Sequence, residues 1–362
     1  MRRILALLLA VVMAAGLVAC TQEPEATEPT VPATMAPPEP VKKTIHILLP
    51  DAQEGWLGTA GQLAAEEITA LEAEAAFEIV QHVYTSAEQQ DQILSDIAAQ
   101  SKGDGNIGVV LMPMGEEAVA PLEKLLEANV SYALADLVPE GSGAAAVTNV
   151  VYDQRQIGAA AAAYLVANGL TQDQKVVIIQ GVSQEEALRT EGFRMYLQGK
   201  LTCGGAVIEQ PWDSLDNIVY SDMQGTTRES AATYFETYMS ESDHASTKYF
   251  AAWDDTYVLG VLDGLEGENI PSSNKTKFLE NAPFITGCGG SQMMADVLAG
   301  TSAYTHTASF GGIQTVIYDT AMLRIAIATM ADHFSGQIVE QDQTQPITWL
   351  TAETVAQYKG YE

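Results

Sequence analysis

From residue 43 onward, short apolar runs alternate with longer stretches in which apolar residues recur every three or four positions. The apolar runs lie at 44–49 (TIHILL), 77–82, 107–112 (IGVVLM) and 131–135, with helical stretches at 57–73, 87–101 and 116–129 between and after them. A continuous apolar run suits a strand buried on both faces, and a period near 3.6 suits the amphipathic helix that covers it. This βα alternation predicts a doubly wound parallel sheet. After Gly141-Ser142-Gly143 the pattern restarts, with strands expected at 147–151, 175–180, 206–210, 249–253 and 283–287. Helices are expected at 156–168, 185–198, 226–239, 257–265 and 292–299, and the long apolar segment 313–334 reads as one more. Two sets of βα units of similar size imply two α/β lobes.

Charge then removes whole classes of function. The 362 residues hold 17 Lys+Arg against 47 Asp+Glu, a net charge of −30. Nucleic acid would be repelled, and few cations exist to neutralise phosphates. Hydrophobic residues at 47% and charged residues at 18% are globular proportions, and the length suits two domains.

The first residues read as an address. Arg2-Arg3 precede an apolar stretch at 4–18, as in a signal peptide. The stretch ends in Leu17-Val18-Ala19-Cys20, which resembles the lipobox of bacterial lipoproteins, with Cys20 the lipidated residue. Residues 1–19 are thus expected to be a lipoprotein signal peptide and 20–42 a lipid anchor and tether. Residues 21–40 are rich in Pro, Thr and Glu, too polar to fold and kept extended by proline. The expected location is extracytoplasmic, on the bacterial cell membrane. Of the other cysteines, Cys203 precedes the expected strand at 206–209 and Cys288 ends the one at 283–287. Opposite sheet edges are too far apart for a disulfide, so two free thiols are expected.

Enzyme signatures are missing: no phosphate loop, no GxGxxG after a strand and no GxSxG elbow. Histidines 46, 82, 244, 306 and 333 are scattered, without metal-ligand spacing. No enzymatic activity, cofactor or metal is expected.

In open α/β sheets, ligands bind beyond the carboxyl ends of the strands. The residues expected there are Asp51, Glu54 and Trp56, then Asp136, Arg189, Trp212, and Asp254 with Asp255. Carboxylates accept hydroxyls, a guanidinium donates to oxygens, and indole faces stack on C–H patches. This is the equipment for a polyhydroxylated ligand, although an Asp after a strand also serves as a helix cap, the more so for Asp255.

Residues 44–350 resemble the periplasmic sugar-binding proteins of the ribose/galactose type, the substrate-binding components of ABC importers. The landmarks are Gly55-Trp56, the 92–99 stretch leading into IGVVLMP (107–113), Tyr152-Asp153 with Ile157-Gly158, Arg189-x-x-Gly192-Phe193, and WDDTYVLG (253–260). The resemblance implies the type I periplasmic-binding-protein fold, two doubly wound lobes joined by a three-crossover hinge. The expected lobes are 43–150 plus 311–338 and 151–310 plus 339–362, with crossings near 149–153, 308–312 and 337–345. It places first-loop contacts on Glu54, Trp56 and Leu57, a strand-end Asp on Asp136, the sugar-binding Arg on Arg189, and a stacking aromatic on Trp212. Asp254 stands for the family's Asn. Departures are Asp136-Leu137 for an Asp-Arg pair and Gly287-Cys288-Gly289 for Gly-Phe-Asp, which leaves Gly289 where a carboxylate is usual. Ser309, with Thr307, stands near a common Gln.

The function so implied is a lipid-anchored, monomeric solute-binding protein that delivers a sugar or related polyol to an ABC permease. Acids at Glu54 and Asp254 favour a neutral or cationic ligand. A sensory binding protein for a sugar, nucleoside or furanosyl signal, feeding a chemoreceptor or kinase, is the alternative. Cys20→Ala is expected to abolish lipidation and move the protein from the membrane to the soluble fraction, because no later segment reaches about 18 uncharged apolar residues. Retention of the variant in salt-washed membranes would overturn the lipobox reading.

Overall fold

The computed structural model describes residues 42–52, 55–223 and 225–361. The signal segment, Cys20, the tether as far as residue 41 and Glu54 lie outside the described residues.

The first sheet contains β1 (Lys43–Pro50), β2 (Phe77–Tyr84), β3 (Ile107–Leu111), β4 (Ser131–Ala135) and β5 (Asn149–Val151). The second contains β6 (Val176–Ile179), β7 (Ile218–Tyr220), β8 (Tyr249–Ala252), β9 (Phe284–Gly289) and β10 (Gly312–Ile317). Each is completed by a late strand, β11 (Asp342–Thr344) in the first and β12 (Thr348–Thr351) in the second. Their orders correspond: β2-β1-β3-β4-β5-β11 and β7-β6-β8-β9-β10-β12. All pairings are parallel except that of β12, which runs antiparallel to β10. This is the two-lobed parallel α/β architecture that the hydrophobic pattern and the resemblance imply.

The alternation of side chains across a strand divides each lobe's core in two. Ile45, Ile47 and Val110 pack with Ala64 and Ile68 of α1 (Gly55–Glu74) and with Leu323, Ile327 and Met330 of α10 (Met322–Phe334). On the other face Leu48, Val109 and Leu111 meet Leu94 and Ile97 of α2 (Ala87–Gln100) and Leu122 and Leu125 of α3 (Val119–Glu127). In the second lobe Val176, Ile178 and Ala251 lie with α4 (Gln154–Ala167) and α5 (Gln184–Leu197). Val177, Ile179 and Phe250 lie with α6 (Arg228–Ser240) and α7 (Asp255–Glu266). Each buried Leu, Ile, Val or Phe contributes about 1.5–3 kcal/mol relative to exposure. Helices α8 (Ser272–Glu280) and α9 (Gln292–Ala299) complete the second lobe.

Short polar residues after the strands start the helices. Ser86, Asp153, Ser183, Asp254 and Ser291 accept from backbone N–H groups of Gln89, Arg155, Glu186, Thr256 and Met294 at 2.7–3.2 Å. Such caps are worth about 1 kcal/mol each.

Three expectations need correction. Residues 206–210 form no strand beyond an isolated bridge from Ala206 to Cys203; the strand beside β6 is β7, with Ile218 buried and paired to Val176. Segment 313–334 is not one helix. Its β-branched start, Ile313 with Thr315, Val316 and Ile317, forms β10, and α10 begins only after Asp319-Thr320. Consequently residues 312–317 belong to the second sheet, not the first lobe, and 342–344 to the first sheet, not the second lobe. The second crossing falls between Ile317 and Met322, and the third between Thr344 and Thr348.

Helices α4 and α5 cross at backbone contact. A Cβ on Gly158 would run into the Arg189 carbonyl, and one on Gly192 into the Arg155 carbonyl. Gly192→Ala must push the helices apart and is expected to destabilise the protein by about 1–3 kcal/mol in urea unfolding. A loss below about 0.5 kcal/mol would show that the helices separate freely.

Candidate functional site

Parallel strands deliver the residues after their carboxyl ends to one edge of each sheet. On the first lobe that edge carries Trp56, in the first turn of α1, and Asp136, just after β4. On the second it carries Arg189 in α5, Asp254 before α7, and Cys288 near the end of β9. Tyr152 and Tyr318 stand on the first two crossings.

Arg189 is the centre of this group and is only 7% exposed. Its Nε donates to Gln154 Oε1 at 2.8 Å and its Nη1 to the Trp253 carbonyl, which fixes the guanidinium plane. The guanidinium carbon lies 5.8 Å from the centre of the Tyr318 ring. Burial alone would lower its pKa, but Cys288, Tyr318 and Asp254 outweigh that and raise it, so the charge is retained. A side-chain hydrogen bond with Tyr318 also favours the charged form, and further N–H groups remain as donors.

Around Arg189 lie aromatic rings and acids. Trp56 meets Tyr318 with ring centres 5.8 Å apart, and Tyr318 meets Tyr152 at 5.2 Å. The Trp56 indole Nε1 is buried without a hydrogen-bond partner. Asp136 is half-buried and held at φ 71°, a left-handed conformation that Asp tolerates better than most residues. Burial pushes its pKa up to about 6, Glu185 adds to the rise, and Arg189 opposes it. Asp254 caps α7, with Oδ1 accepting from Thr256 N at 2.7 Å, while staying within electrostatic reach of Arg189. Glu186, 6% exposed, accepts from the Tyr257 hydroxyl at 2.7 Å through Oε1 and leaves Oε2 buried without a partner.

Trp56, Asp136, Arg189 and Asp254 therefore come together. Asp255, Gly289, Leu57, Trp212 and Ser309 are placed differently, and Glu54 lies outside the described residues. Asp255 is 1% exposed, and both its oxygens are used: Gly290 N at 2.6 Å and Ser291 N at 3.0 Å donate to Oδ2, and Thr315 Oγ1 at 2.5 Å to Oδ1. It braces β9 against β10. Gly289 lies beside it at φ 139°, and a Cβ there would stand 2.6 Å from the Tyr361 hydroxyl. Leu57 is 41% exposed and joins no hydrophobic cluster. Trp212 is buried against Tyr196, Leu197 and Ile208 at the far end of α4 and α5, because it precedes β7 rather than following a strand. Ser309 is exposed before β10, at the amino end of that strand.

The residue that β10 delivers to the site is Tyr318, missed because the strand was read as helix. Its signal was a β-branched run ending in Tyr318-Asp319-Thr320. Gln154, Glu186 and Tyr361 carried no sequence signal. Cys203 and Cys288 are both free and buried, and burial raises the Cys288 thiol to about 12, Arg189 opposing. Among the described residues no group of three or more His, Cys, Asp or Glu could hold a metal ion.

Residues 45–338 match the family described as a periplasmic binding protein domain. Among solved structures, the chain is similar to a periplasmic ribose ABC transporter from Conexibacter woesei, at 18% identity and TM-score 0.63, over 87% of this chain and 93% of that one. It is also similar to an ABC transporter solute binding protein from Bacillus halodurans with bound myo-inositol, at 16% identity and TM-score 0.62, over 87% and 96%. A third is the binding protein of the arabinose ABC transporter from Shewanella sp. ANA-3, bound to α- and β-L-arabinofuranose, at 14% and 0.62, over 86% and 93%. No curated protein matches the chain.

A raised carboxyl pKa means that the folded protein holds that proton more tightly than the unfolded chain. With Asp136 at about 6, its penalty is carried in full above pH 6 and relieved as pH falls toward the ordinary value of about 4. Asp136→Asn keeps a side chain that tolerates the left-handed backbone. It is expected to stabilise the protein at pH 7 by on the order of 1–2 kcal/mol and to flatten the rise in stability between pH 6 and 4. Urea unfolding at pH 7 and pH 4.5 reads both; equal pH slopes for the two proteins would refute the assignment.

Proposed function

Because this chain belongs to the periplasmic binding protein domain family, we propose that it is an extracytoplasmic, lipid-anchored solute-binding protein that captures a small sugar-like ligand between its lobes and passes it to an ABC importer. The observation that carries the reading is the buried, unpartnered indole N–H of Trp56, set beside the Tyr318 ring and the braced guanidinium of Arg189. A buried donor without an acceptor costs about 1–3 kcal/mol. A ligand with ring C–H faces and several hydroxyls satisfies the indole, the guanidinium and the carboxylates together, as the ligands named for the myo-inositol and arabinofuranose complexes could.

Charge supports a narrower class. Asp136, Glu185 and Asp254 lie within electrostatic reach of one another or of the Arg189 guanidinium. Neutral or cationic polyols suit this balance, and sugar acids would meet like charge in a poorly screened cleft. Donors and acceptors come from both lobes, so a bound ligand bridges them and favours a closed state that a permease can recognise.

A thermal-shift panel of neutral, amino and acid sugars tests the reading, since a ligand at 100 times its Kd stabilises by about 2.7 kcal/mol. For a sugar that binds, Arg189→Ala is expected to cost about 1.5–3 kcal/mol, roughly 10- to 150-fold in Kd. Unchanged affinity would remove Arg189 from the site, and a preference for sugar acids would sink the charge argument.

A further inference from the structure

A cavity of about 710 Å³ adjoins the Arg189 group without including it. It is lined by Thr59 and Gln62 of α1, Tyr318 and Thr320 after β10, and Tyr358 and Tyr361 near the end of the described chain. Arg189, Asp254, Asp136 and Trp56 do not line it. Tyr318 belongs to both places, lining the cavity while its ring neighbours Arg189 and Trp56.

We infer that this compartment is a second sugar subsite, and that the ligand is two joined polyol units, a disaccharide or a glycoside with a polar aglycone, rather than a single monosaccharide. The inference rests on the sugar-binding reading above and narrows its ligand. Size is the first argument. A hexose has twelve non-hydrogen atoms, and at no more than the roughly 30 Å³ of a liquid water molecule per atom it needs less than about 360 Å³. The compartment offers about twice that.

Lining chemistry is the second argument. The side chains of Thr59, Gln62, Thr320 and Tyr361 make no hydrogen bond to another described residue, so hydroxyl and amide groups are free to face a ligand. The charges present, Asp319 and Lys359, are one of each sign. That is a surface balanced in charge, rich in hydroxyls and tyrosine rings, unlike the acid-rich group around Arg189.

The wall is also built, not loosely draped. Tyr358 Oη donates to the Gly290 carbonyl at 2.7 Å, Gly360 N to Gln292 Oε1 at 3.1 Å, and Gln292 N to the Tyr361 carbonyl at 2.8 Å. Tyr361 so placed fills the space over Gly289, where any Cβ would stand 2.6 Å from its hydroxyl. The missing side chain at 289 and the tyrosine wall are one arrangement.

Isothermal titration of the full chain tests this with D-galactose, D-glucose and myo-inositol against lactose, melibiose, maltose and galactinol. At least one two-unit compound is expected to bind tenfold or more tightly than either of its parts. Gln62→Trp, an exposed position whose new indole fills the compartment, is expected to bring that ratio back toward one. If monosaccharides bind and every two-unit compound binds equally or more weakly, the second subsite falls and the sugar reading stands. An advantage untouched by Gln62→Trp also removes the subsite from this cavity. If no saccharide binds at all, both readings fall.

Discussion

The Tyr152 hydroxyl donates to the Asp319 carbonyl at 2.6 Å, and this bond ties the first crossing between the lobes to the second. The rings beside it, Tyr152 tilted against Tyr318 and Tyr318 against Trp56, continue directly to the guanidinium of Arg189. The crossings between the lobes and the floor of the candidate site thus share the same few side chains. A pivot needs freedom and a binding floor needs definition. Tilted aromatic contacts meet both demands, because ring faces can shift against one another while keeping most of their buried area. The hydrogen bond keeps the crossings together while that happens.

On this floor the protein gathers more acid than base. Each carboxylate is restrained by a different device: Asp254 by the helix it caps and Asp136 by a left-handed backbone. Burial of Asp136 disfavours its charged form and so lowers stability above about pH 6. The indole N–H of Trp56 and Oε2 of Glu186, both buried and unpartnered, belong to the same account.

Local signals explain what the sequence revealed. Strands buried on both faces, such as Val109 to Leu111 and Val176 to Ile179, stand out as uninterrupted apolar runs. Arg189-x-x-Gly192-Phe193 was legible because one short motif encodes both the guanidinium and the glycine that lets α5 lie against α4. Trp212 misled because an irregular stretch carried the composition of a strand, and the true edge strand is only three residues long. Tyr318 was hidden by an apolar segment in which strand and helix adjoin, a case that hydrophobicity alone cannot divide. Tyr361 was invisible because its place beside Gly289 depends on a chain return across more than seventy positions.

The swapped late strands govern how the chain reaches this state. Asn149 of β5 donates its side-chain amide to Asp342 of β11 at 2.8 Å, across 193 positions of sequence. During synthesis from the amino end, β5 must therefore wait as a raw parallel edge while the whole second lobe is made. Pairings so distant carry a large closure entropy and slow the search for them. An exposed edge held open for that time invites pairing with another chain. The first lobe is accordingly completed only when the chain returns from the second with α10 and β11.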